Sequence, residues 1–298
     1  MSVLSSIEKM QRNLIVDSNN LLHRVYWVCE KYAKMSVSKM FFTCIKNYID
    51  EQMISEGRVF MVWDHNLIDD STNYRKIHSD IDYKSTRDHE RNAEVYRIGK
   101  HIRKMSKGLG LCNMYPGVLE GDDVIAFLCR ELDGHNVIVS VDQDLLQLID
   151  NRTDVYEPIK KHVVTKQNFN QYQPVALNNF IHYKAILGDK SDNIPGIPKV
   201  GTKRALKVLE EGIDNLSSDH RNIYNRNMEL MDLNIGVIKH PEEEHLYRKQ
   251  LKRVLDIREV DKQRVLEICS DINCYDMTND LIDFFNYTDT INIADLLS

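Results

Sequence analysis

Short apolar runs alternate with longer amphipathic stretches over the first half of the chain. Three of these runs have the length and the β-branched content that predict strands: 13–17, 58–63 and 136–141. The short apolar stretch 110–115 is a fourth candidate strand. Four stretches with a helical period predict helices: 18–33, 36–54, 88–109 and the segment that opens at Gly121. The polar segment 67–87 has no clear period and predicts a loop. Alternating strands and helices predict an α/β fold with a central, mostly parallel sheet flanked by helices.

The pattern changes near residue 175, after which a helical period continues to the end. We therefore predict an α/β core over 1–174 and a mostly helical subdomain over 175–298. No apolar run approaches the roughly 18 residues that a membrane helix needs, and the N-terminus does not resemble a signal peptide, so no membrane association is expected. Six scattered cysteines without a Cys-x-x-Cys pair predict a reduced, cytoplasmic protein without structural zinc.

Acidic residues follow three of the predicted strands and recur in two further clusters. Nine of them form five groups along the chain: Asp17, Asp64, Glu120, Asp122, Asp123, Asp142, Asp144, Asp189 and Asp192. The carboxyl ends of parallel strands meet at one edge of a sheet, where open α/β folds keep their sites. Carboxylates brought together repel one another unless cations lie between them, and such oxygen-only sets suit Mg²⁺ or Mn²⁺. The simpler alternative is that each aspartate only caps the helix that follows its strand.

The charge distribution leaves room for a nucleic-acid ligand. The net charge of −6 becomes +3 when the nine carboxylates are set aside, and bound cations would neutralise those nine locally. Residues 84–107 carry eight Lys and Arg against three acidic residues. The acidic total therefore does not exclude DNA.

A glycine-rich turn within 194–212 precedes a predicted helix. Gly196 and Gly201 flank the turn, so the backbone and the N–H groups of the helix N-terminus could approach a phosphate closely. Three basic residues add charge: Lys199, Lys203 and Arg204. This arrangement predicts binding to a nucleic-acid backbone, independent of sequence. The alternative is an ordinary helix–turn–helix linker with exposed basic residues.

These motifs, in this order, resemble the 5′-nuclease (flap endonuclease) superfamily, and especially its bacteriophage members, some named ribonuclease H, and the 5′-nuclease domain of bacterial DNA polymerase I. The resemblance runs from about residue 13 to about residue 233. It rests on the strand-end aspartates, on Glu-x-Asp-Asp, Asp-x-Asp and Gly-Asp-x-x-Asp-Asn-Ile, and on a Tyr-Lys-x-x-Arg motif: Tyr83, Lys84 and Arg87.

The resemblance implies two divalent ions, Mg²⁺ or Mn²⁺, held by the nine acidic residues. Five of these residues would mostly serve the first ion: Asp17, Asp64, Glu120, Asp122 and Asp123. Four would mostly serve the second: Asp142, Asp144, Asp189 and Asp192. Which residue bridges the ions is left open. Lys84, with Arg87 beside it, would polarise the scissile phosphate.

The resemblance also implies two DNA-binding elements. A helical arch at about 67–112 would admit a single-stranded 5′ end, and a helix–hairpin–helix at about 185–212 would hold duplex DNA, with K⁺ in some relatives. His23 stands where many relatives carry an aromatic residue, so base stacking by this residue is an open question. The implied DNA-binding residues are His23, Arg24, Tyr83, Lys84, Arg87, Gly196, Lys199, Gly201, Lys203 and Arg204.

The expected function is that of a structure-specific 5′-nuclease, a 5′-3′ exonuclease and flap endonuclease acting in DNA replication. Its partners would be branched or nicked duplex DNA and RNA–DNA hybrids with 5′ ends or flaps, and it would remove RNA primers as a monomer in the cytoplasm of a phage's bacterial host. One alternative is a PIN-domain ribonuclease, although PIN domains are about half as long and lack the hairpin. The other is a non-catalytic DNA-binding accessory protein, against which the full set of matched carboxylates counts.

One C-terminal segment suggests a protein partner. Leu281, Phe284 and Phe285 have the spacing of sliding-clamp-binding peptides, in which one helical turn presents three apolar side chains to a pocket. A sliding clamp or a single-strand-binding protein would be the partner. The same residues would suit a helix packed into the protein's own core equally well.

Overall fold

The computed structural model describes residues 11–32, 36–52, 58–64, 73–84, 89–256, 263, 266–267 and 270. Two predictions, the role of Arg87 and the clamp-binding segment with Leu281, Phe284 and Phe285, lie outside the described residues.

Six strands in the described part of the chain form one central sheet. They are β1 Arg12–Asp17, β2 Val59–Val62, β3 Cys112–Met114, β4 His135–Val139, β5 Thr153–Glu157 and β6 His162–Val164. Their order across the sheet is β3-β2-β1-β4-β5-β6. The first five strands run parallel, and β6 pairs antiparallel with β5. The mostly parallel sheet expected from the sequence is therefore confirmed.

In the described part of the chain, helices cover both faces of the sheet and make up most of the residues after β6. Six precede residue 175: α1 Ser18–Tyr32, α2 Val37–Glu51, α3 Tyr74–His78, α4 His89–Gly108, α5 Gly121–Glu131 and α6 Phe169–Tyr172. Five follow: α7 Phe180–Leu187, α8 Thr202–Glu211, α9 Ser218–Met231, α10 Leu233–Lys239 and α11 Pro241–Leu255. None of the described helices is both long and apolar enough to cross a membrane.

The central strand β1 shows why this sheet must be covered on both faces. Leu14 and Val16 are fully buried in an apolar cluster with residues of α1, α2 and α4. Ile15 is fully buried on the opposite face, in a second cluster with α5, α7 and α11. A strand buried on both faces is apolar at consecutive rather than alternate positions, as β1 is at Leu14, Ile15 and Val16.

Two features of the structure differ from the sequence-based expectation. The predicted loop 67–87 contains the short helix α3, whose N-cap Asn73 accepts a hydrogen bond from the Lys76 N–H. Strands β5 and β6 were not predicted, because they are short and interrupt their apolar residues with Asp154, Glu157 and His162. The second apolar cluster also runs through both halves of the chain, so the division at residue 175 stays a prediction.

Helix α11 binds the segment between β3 and α5 through the buried carboxylate of Glu243 and so connects the helical half of the chain to the sheet. Glu243 is 3% exposed. Its oxygens accept hydrogen bonds from the backbone N–H groups of Gly117 (2.8 Å) and Val118 (2.9 Å) and from the Tyr247 hydroxyl (2.6 Å). These bonds hold the segment that leads from β3 into α5, the helix whose first turn carries the acidic motif.

We expect Glu243→Ala to lower the free energy of unfolding by about 3 kcal/mol, because it leaves two buried N–H groups and one buried hydroxyl without their acceptor. Denaturant unfolding followed by circular dichroism measures the effect. Glu244→Ala, at a side chain that is 42% exposed on the same helix, is the matched control and should change stability far less. Equal losses in the two variants would show that the buried carboxylate does not organise this junction.

Candidate active site

Five of the predicted acidic residues line one cleft at the carboxyl edge of the sheet. The cleft has a volume of about 380 Å³. Asp17 ends β1, Asp64 follows β2 and Asp142 follows β4, while the last two come from the start of α5: Glu120 and Asp122. The parallel strands thus bring together residues that are far apart in the sequence.

Neutral donors hold the first two aspartates in place. Asp17 accepts hydrogen bonds from the Asn20 N–H (3.1 Å) and the Ser140 hydroxyl (2.8 Å). Asp64 accepts from the Asn19 side-chain amide (2.6 Å) and from the Gly121 N–H (2.9 Å). None of these four donors carries a charge, so the hydrogen bonds orient the carboxylates and leave their negative charge in the cleft.

The pKa values of two cleft carboxyls, Asp17 and Asp122, reflect their burial and their proximity to other acidic groups. Burial is the main cause that raises the pKa of Asp17 to about 7; the charges of Asp64 and Asp142 act in the same direction, whereas the hydrogen bonds from Asn20 and Ser140 act against it. Burial also raises the pKa of Asp122 well above its usual range, with the charges of Asp142 and Asp17 as the next causes. Both carboxyls therefore lie close to further acidic groups, in a part of the cleft where burial disfavours an unpaired negative charge.

Lys84 closes one side of the cleft. Its ammonium lies 2.7 Å from Glu120 and 3.5 Å from Asp192. Burial would raise the pKa of Glu120, but the charges of Lys84 and Arg75 outweigh it and lower the pKa. The backbone of Lys84 has a φ of 52°, a strained value for a residue with a side chain, and its N–H donates to the Asp192 carbonyl at 3.0 Å.

Tyr83 and Asp123 lie in places that differ from the prediction. Tyr83, expected to contact DNA, is 3% exposed, and its hydroxyl donates to Glu120 at 3.0 Å. Asp123, expected to bind metal, is fully buried outside the cleft and accepts two hydrogen bonds from the Arg75 guanidinium, at 2.6 and 2.8 Å. Both side chains make these hydrogen bonds beneath Glu120 rather than in the lining of the cleft.

Arg75 is a site residue that the sequence did not reveal. It is 3% exposed, and its Nε donates to the Leu230 carbonyl of α9 while its other nitrogens contact Asp123 and Glu120. The only signal in the sequence is an arginine in the polar segment 67–87, which also contains Arg87. That pattern also describes many exposed arginines, so its burial could not be predicted.

A second acidic cluster lies beyond the cleft. Asp144 follows Asp142 and donates its N–H to the Asp142 side chain at 2.8 Å, and Asp189 lies in the short strand β7, Gly188–Asp189. The Lys184 ammonium contacts both Asp144 and Asp189. Burial would raise the pKa of Asp189, but its hydrogen bonds to Ser191 and the charge of Lys184 lower it to about 2. Lys184 is the second basic residue that the sequence analysis missed.

The glycine-rich turn forms a hairpin between α7 and α8. Strand β7 pairs antiparallel with β8, Ile194–Pro195. A Cβ on Gly196 would lie 2.1 Å from the Leu187 carbonyl oxygen, so this glycine is required by the packing of the hairpin rather than by a ligand. Gly201, at the N-cap of α8, faces open space. Three basic residues are exposed beside it: Lys199, Lys203 and Arg204.

The remaining predicted DNA contacts, His23 and Arg24, both line the cleft. Tyr96 of α4 lies beside His23, edge to face, with 6.3 Å between ring centroids. An aromatic ring that the sequence analysis did not identify is therefore part of the cleft wall.

The carboxylates suit hard cations, although they are not gathered around one point. Among the described residues, no three His, Cys, Asp or Glu side chains converge closely enough to hold one ion. The oxygens are instead bound to the N–H, hydroxyl and ammonium groups described above. The candidate ligands around the cleft are carboxylate oxygen atoms, and neighbouring aspartates contribute, after burial, to the raised pKa values of Asp17 and Asp122. This chemistry fits Mg²⁺ or Mn²⁺.

Comparison with known families decides the assignment. Residues 12–174 match the model of the 5′-3′ exonuclease N-terminal resolvase-like domain, and residues 175–262 match that of the 5′-3′ exonuclease C-terminal SAM fold. The chain belongs to the 5′-3′ exonuclease family.

Individual relatives agree with this assignment. A 5′-3′ exonuclease of Mycoplasmopsis pulmonis (strain UAB CTIP) is 31% identical over 228 residues, which cover 70% of this chain and 72% of the relative. DNA polymerase I of Streptococcus pneumoniae is 40% identical over 118 residues, 37% of this chain and 13% of the polymerase. A crystal structure of the bacteriophage T5 flap endonuclease with DNA and metal ions has a TM-score of 0.65 at 19% identity, covering 82% of this chain and 98% of that chain. This last similarity shows a common fold.

The adjacent residues Asp122 and Asp123 should respond oppositely to the same substitution in this 5′-3′ exonuclease. A carboxyl whose pKa is higher in the folded than in the unfolded protein destabilises the fold above the unfolded pKa. Asp122→Asn should therefore leave stability unchanged or raise it at neutral pH in EDTA. Asp123→Asn should lower the free energy of unfolding by about 3 kcal/mol, because the buried Arg75 loses a charged partner.

Denaturant unfolding of the two variants beside the wild type measures this contrast. The assignment of Asp123 to the packing beneath the cleft would be wrong if Asp123→Asn were as stable as the wild type.

Proposed function

We propose that this chain is a structure-specific 5′-nuclease, which hydrolyses phosphodiester bonds at the 5′ ends and flaps of branched or nicked duplex DNA and of RNA–DNA hybrids. The observation that carries the proposal is the convergence of Asp17, Asp64, Asp122 and Asp142 in one cleft beside the Lys84 ammonium. The family membership supports the reaction class, and the cleft supplies the residues for it.

The acidic residues divide into two groups that would hold two divalent ions, Mg²⁺ or Mn²⁺. The first group lies in the cleft: Asp17, Asp64, Glu120 and Asp122. The second group extends from the cleft to the hairpin: Asp142, Asp144, Asp189 and Asp192. A pair of divalent ions in such a site supplies an activated water and stabilises the leaving oxygen. Asp123 is not included, because Arg75 occupies both of its oxygens.

Lys84 is the side chain that we propose polarises the scissile phosphate. Its ammonium is 11% exposed at the edge of the cleft, and its strained backbone is held by Asp192. A fixed cation aimed at the position of a scissile phosphate stabilises the negative charge that develops there, without reorganising during the reaction. Arg87, three residues further along the chain, is proposed to assist on the basis of the sequence motif alone.

The substrate would contact two separate surfaces. The exposed side chains of Lys199, Lys203 and Arg204 surround the open N-terminus of α8 at Gly201, which suits the phosphates of duplex DNA. His23 and Tyr96 line the cleft and offer rings to an unpaired base. K⁺ at the helix–hairpin–helix stays a prediction.

The biological setting is proposed from the comparisons. The T5 relative is described as a flap endonuclease bound to DNA and metal ions, which supports the same class of substrate here. The remaining statements stay predictions. The protein would remove RNA primers during phage replication, in the cytoplasm of a bacterial host. It would be a monomer, with a sliding clamp or a single-strand-binding protein as a partner.

The proposal is tested with Asp122→Asn on a labelled 5′-flap substrate. We expect the substitution to lower the Mg²⁺-dependent single-turnover rate at least about 100-fold, the scale of losing an electrostatic catalytic group, while the Kd for the duplex stays within a few-fold of wild type. Asp214→Asn, at a fully solvated carboxylate far along the chain (99% exposed), is the control and should cleave normally.

The alternatives predict other outcomes of the same experiment. Duplex binding without cleavage by the wild type in any divalent ion would indicate the non-catalytic accessory protein. Cleavage restricted to single-stranded RNA would indicate the PIN-type ribonuclease. Normal flap cleavage by Asp122→Asn would remove the cleft from the mechanism.

Substitutions at Lys84 and at the two hairpin lysines should affect different steps, the cleavage rate and the affinity for duplex DNA respectively. Lys84→Ala should lower the single-turnover rate by roughly two orders of magnitude with a small change in Kd. Replacing Lys199 and Lys203 by alanine should instead raise the Kd equally for different duplex sequences, reduce its salt dependence, and leave the rate at saturating enzyme nearly unchanged. A Lys84→Ala rate within about threefold of wild type would assign the electrophilic role to another group.

A further inference from the structure

Lys184 connects the two carboxylates of the second acidic cluster. It stands in the last turn of α7, and its ammonium contacts Asp144 and lies 3.0 Å from Asp189. The three side chains are 13%, 17% and 19% exposed respectively. The arrangement is therefore largely shielded from solvent, where the attraction between opposite charges is stronger than at an exposed surface.

The two carboxylates come from different parts of the fold. Asp144 begins the turn of 3₁₀ helix at Asp144–Leu148, directly after the cleft residue Asp142. Asp189 belongs to the hairpin, and its other oxygen accepts hydrogen bonds from Ser191. A cation between them thus joins the edge of the sheet to the hairpin, and without one the two negative charges would repel each other across this junction.

Two carboxylates of the first group, Asp17 and Asp64, are held differently from Asp144 and Asp189. Asp17 and Asp64 are oriented by amide, hydroxyl and backbone donors, which carry no charge. A divalent cation that binds these two residues displaces no positive group of the protein. A cation that binds Asp144 and Asp189 through the oxygens facing each other has to replace the Lys184 ammonium, which contacts one oxygen of each.

We infer that Lys184 is a positioning residue that neutralises Asp144 and Asp189 and competes with the second divalent ion for them. The inference rests on the proposed function, because it takes these two aspartates as ligands of that ion. The lysine side chain suits this role, since its ammonium is a compact charge on a flexible stem that can rotate away from a carboxylate. The second ion therefore binds more weakly than the first, and its affinity is set by Lys184.

Binding of Mn²⁺ in the absence of DNA tests the inference without reference to activity. Calorimetry and electron paramagnetic resonance count the bound ions and give the Kd of each. We expect the wild type to bind two ions, the second more weakly. Lys184→Met removes the charge and keeps the length of the side chain, so it should lower the second Kd roughly tenfold or more and leave the first within about twofold.

The control is Lys207→Met, which removes an exposed lysine paired with Glu211 on α8 and should change neither Kd. A second readout is thermal. In EDTA, Lys184→Met should melt at a lower temperature than the wild type, because Asp144 and Asp189 then repel each other. Saturating Mn²⁺ should remove this difference, whereas the loss of a purely structural ion pair would persist.

Each outcome is decisive. A second Kd that is unchanged or higher in folded Lys184→Met, or a melting deficit that Mn²⁺ does not repair, overturns the inference. If Lys184→Met does not fold in EDTA, Lys184→Gln takes its place, with the same expected change. A wild type that binds no Mn²⁺ refutes the two-ion part of the proposed function, whereas a wild type that binds two ions with a Lys184-independent second Kd refutes the inference alone.

Discussion

The mutual repulsion of carboxylates at one edge of a parallel sheet is the constraint on which the rest of this structure depends. Asp17, Asp64, Asp122 and Asp142 lie in one cleft because the strands that precede them, β1, β2, β3 and β4, are parallel and adjacent. The raised pKa values of Asp17 and Asp122 show that burial, together with neighbouring acidic groups, disfavours the charged form of both carboxyls, which lowers the stability of the fold. A protein that keeps such a cluster has to supply positive charge around it.

Three basic residues supply part of that charge, each at a different depth. Arg75 is buried beneath the cleft with Asp123, Lys84 lies at its side with Glu120, and Lys184 lies beyond it between two further aspartates. Arg75 also reaches the Leu230 carbonyl, and the Lys84 N–H reaches the Asp192 carbonyl. Arg75 and Lys84 therefore neutralise part of the negative charge at this edge and also connect the helical half of the chain to the sheet.

The sequence predicted the location of the acidic site better than its internal organisation. Strand-end aspartates can be recognised because an apolar run and an acidic residue are adjacent in the chain, and Asp17, Asp64 and Asp142 do line the cleft. The burial of Asp123 and Tyr83 depends on Arg75 and on the packing beneath Glu120, which no local pattern records.

Contacts between distant segments explain the remaining differences. Lys184 lies 40 residues from Asp144 in the chain, and Asn19 lies 45 residues from Asp64, so neither pair has a sequence signature. Strands β5 and β6 escaped prediction because short strands with charged residues have little periodicity of their own. The hairpin was predicted from its glycines, but the reason for Gly196 is close packing against Leu187 rather than a phosphate.

Anomalous diffraction from crystals grown with Mn²⁺ would test the central claim most directly, since it locates the ions without reference to catalysis. The account predicts a strong anomalous peak within coordination distance of oxygens of Asp17, Asp64 or Asp122, and a weaker peak near Asp144 and Asp189 that coincides with displacement of the Lys184 ammonium. Well-ordered crystals at saturating Mn²⁺ with no peak in the cleft, or with peaks only at exposed surface carboxylates, would contradict it.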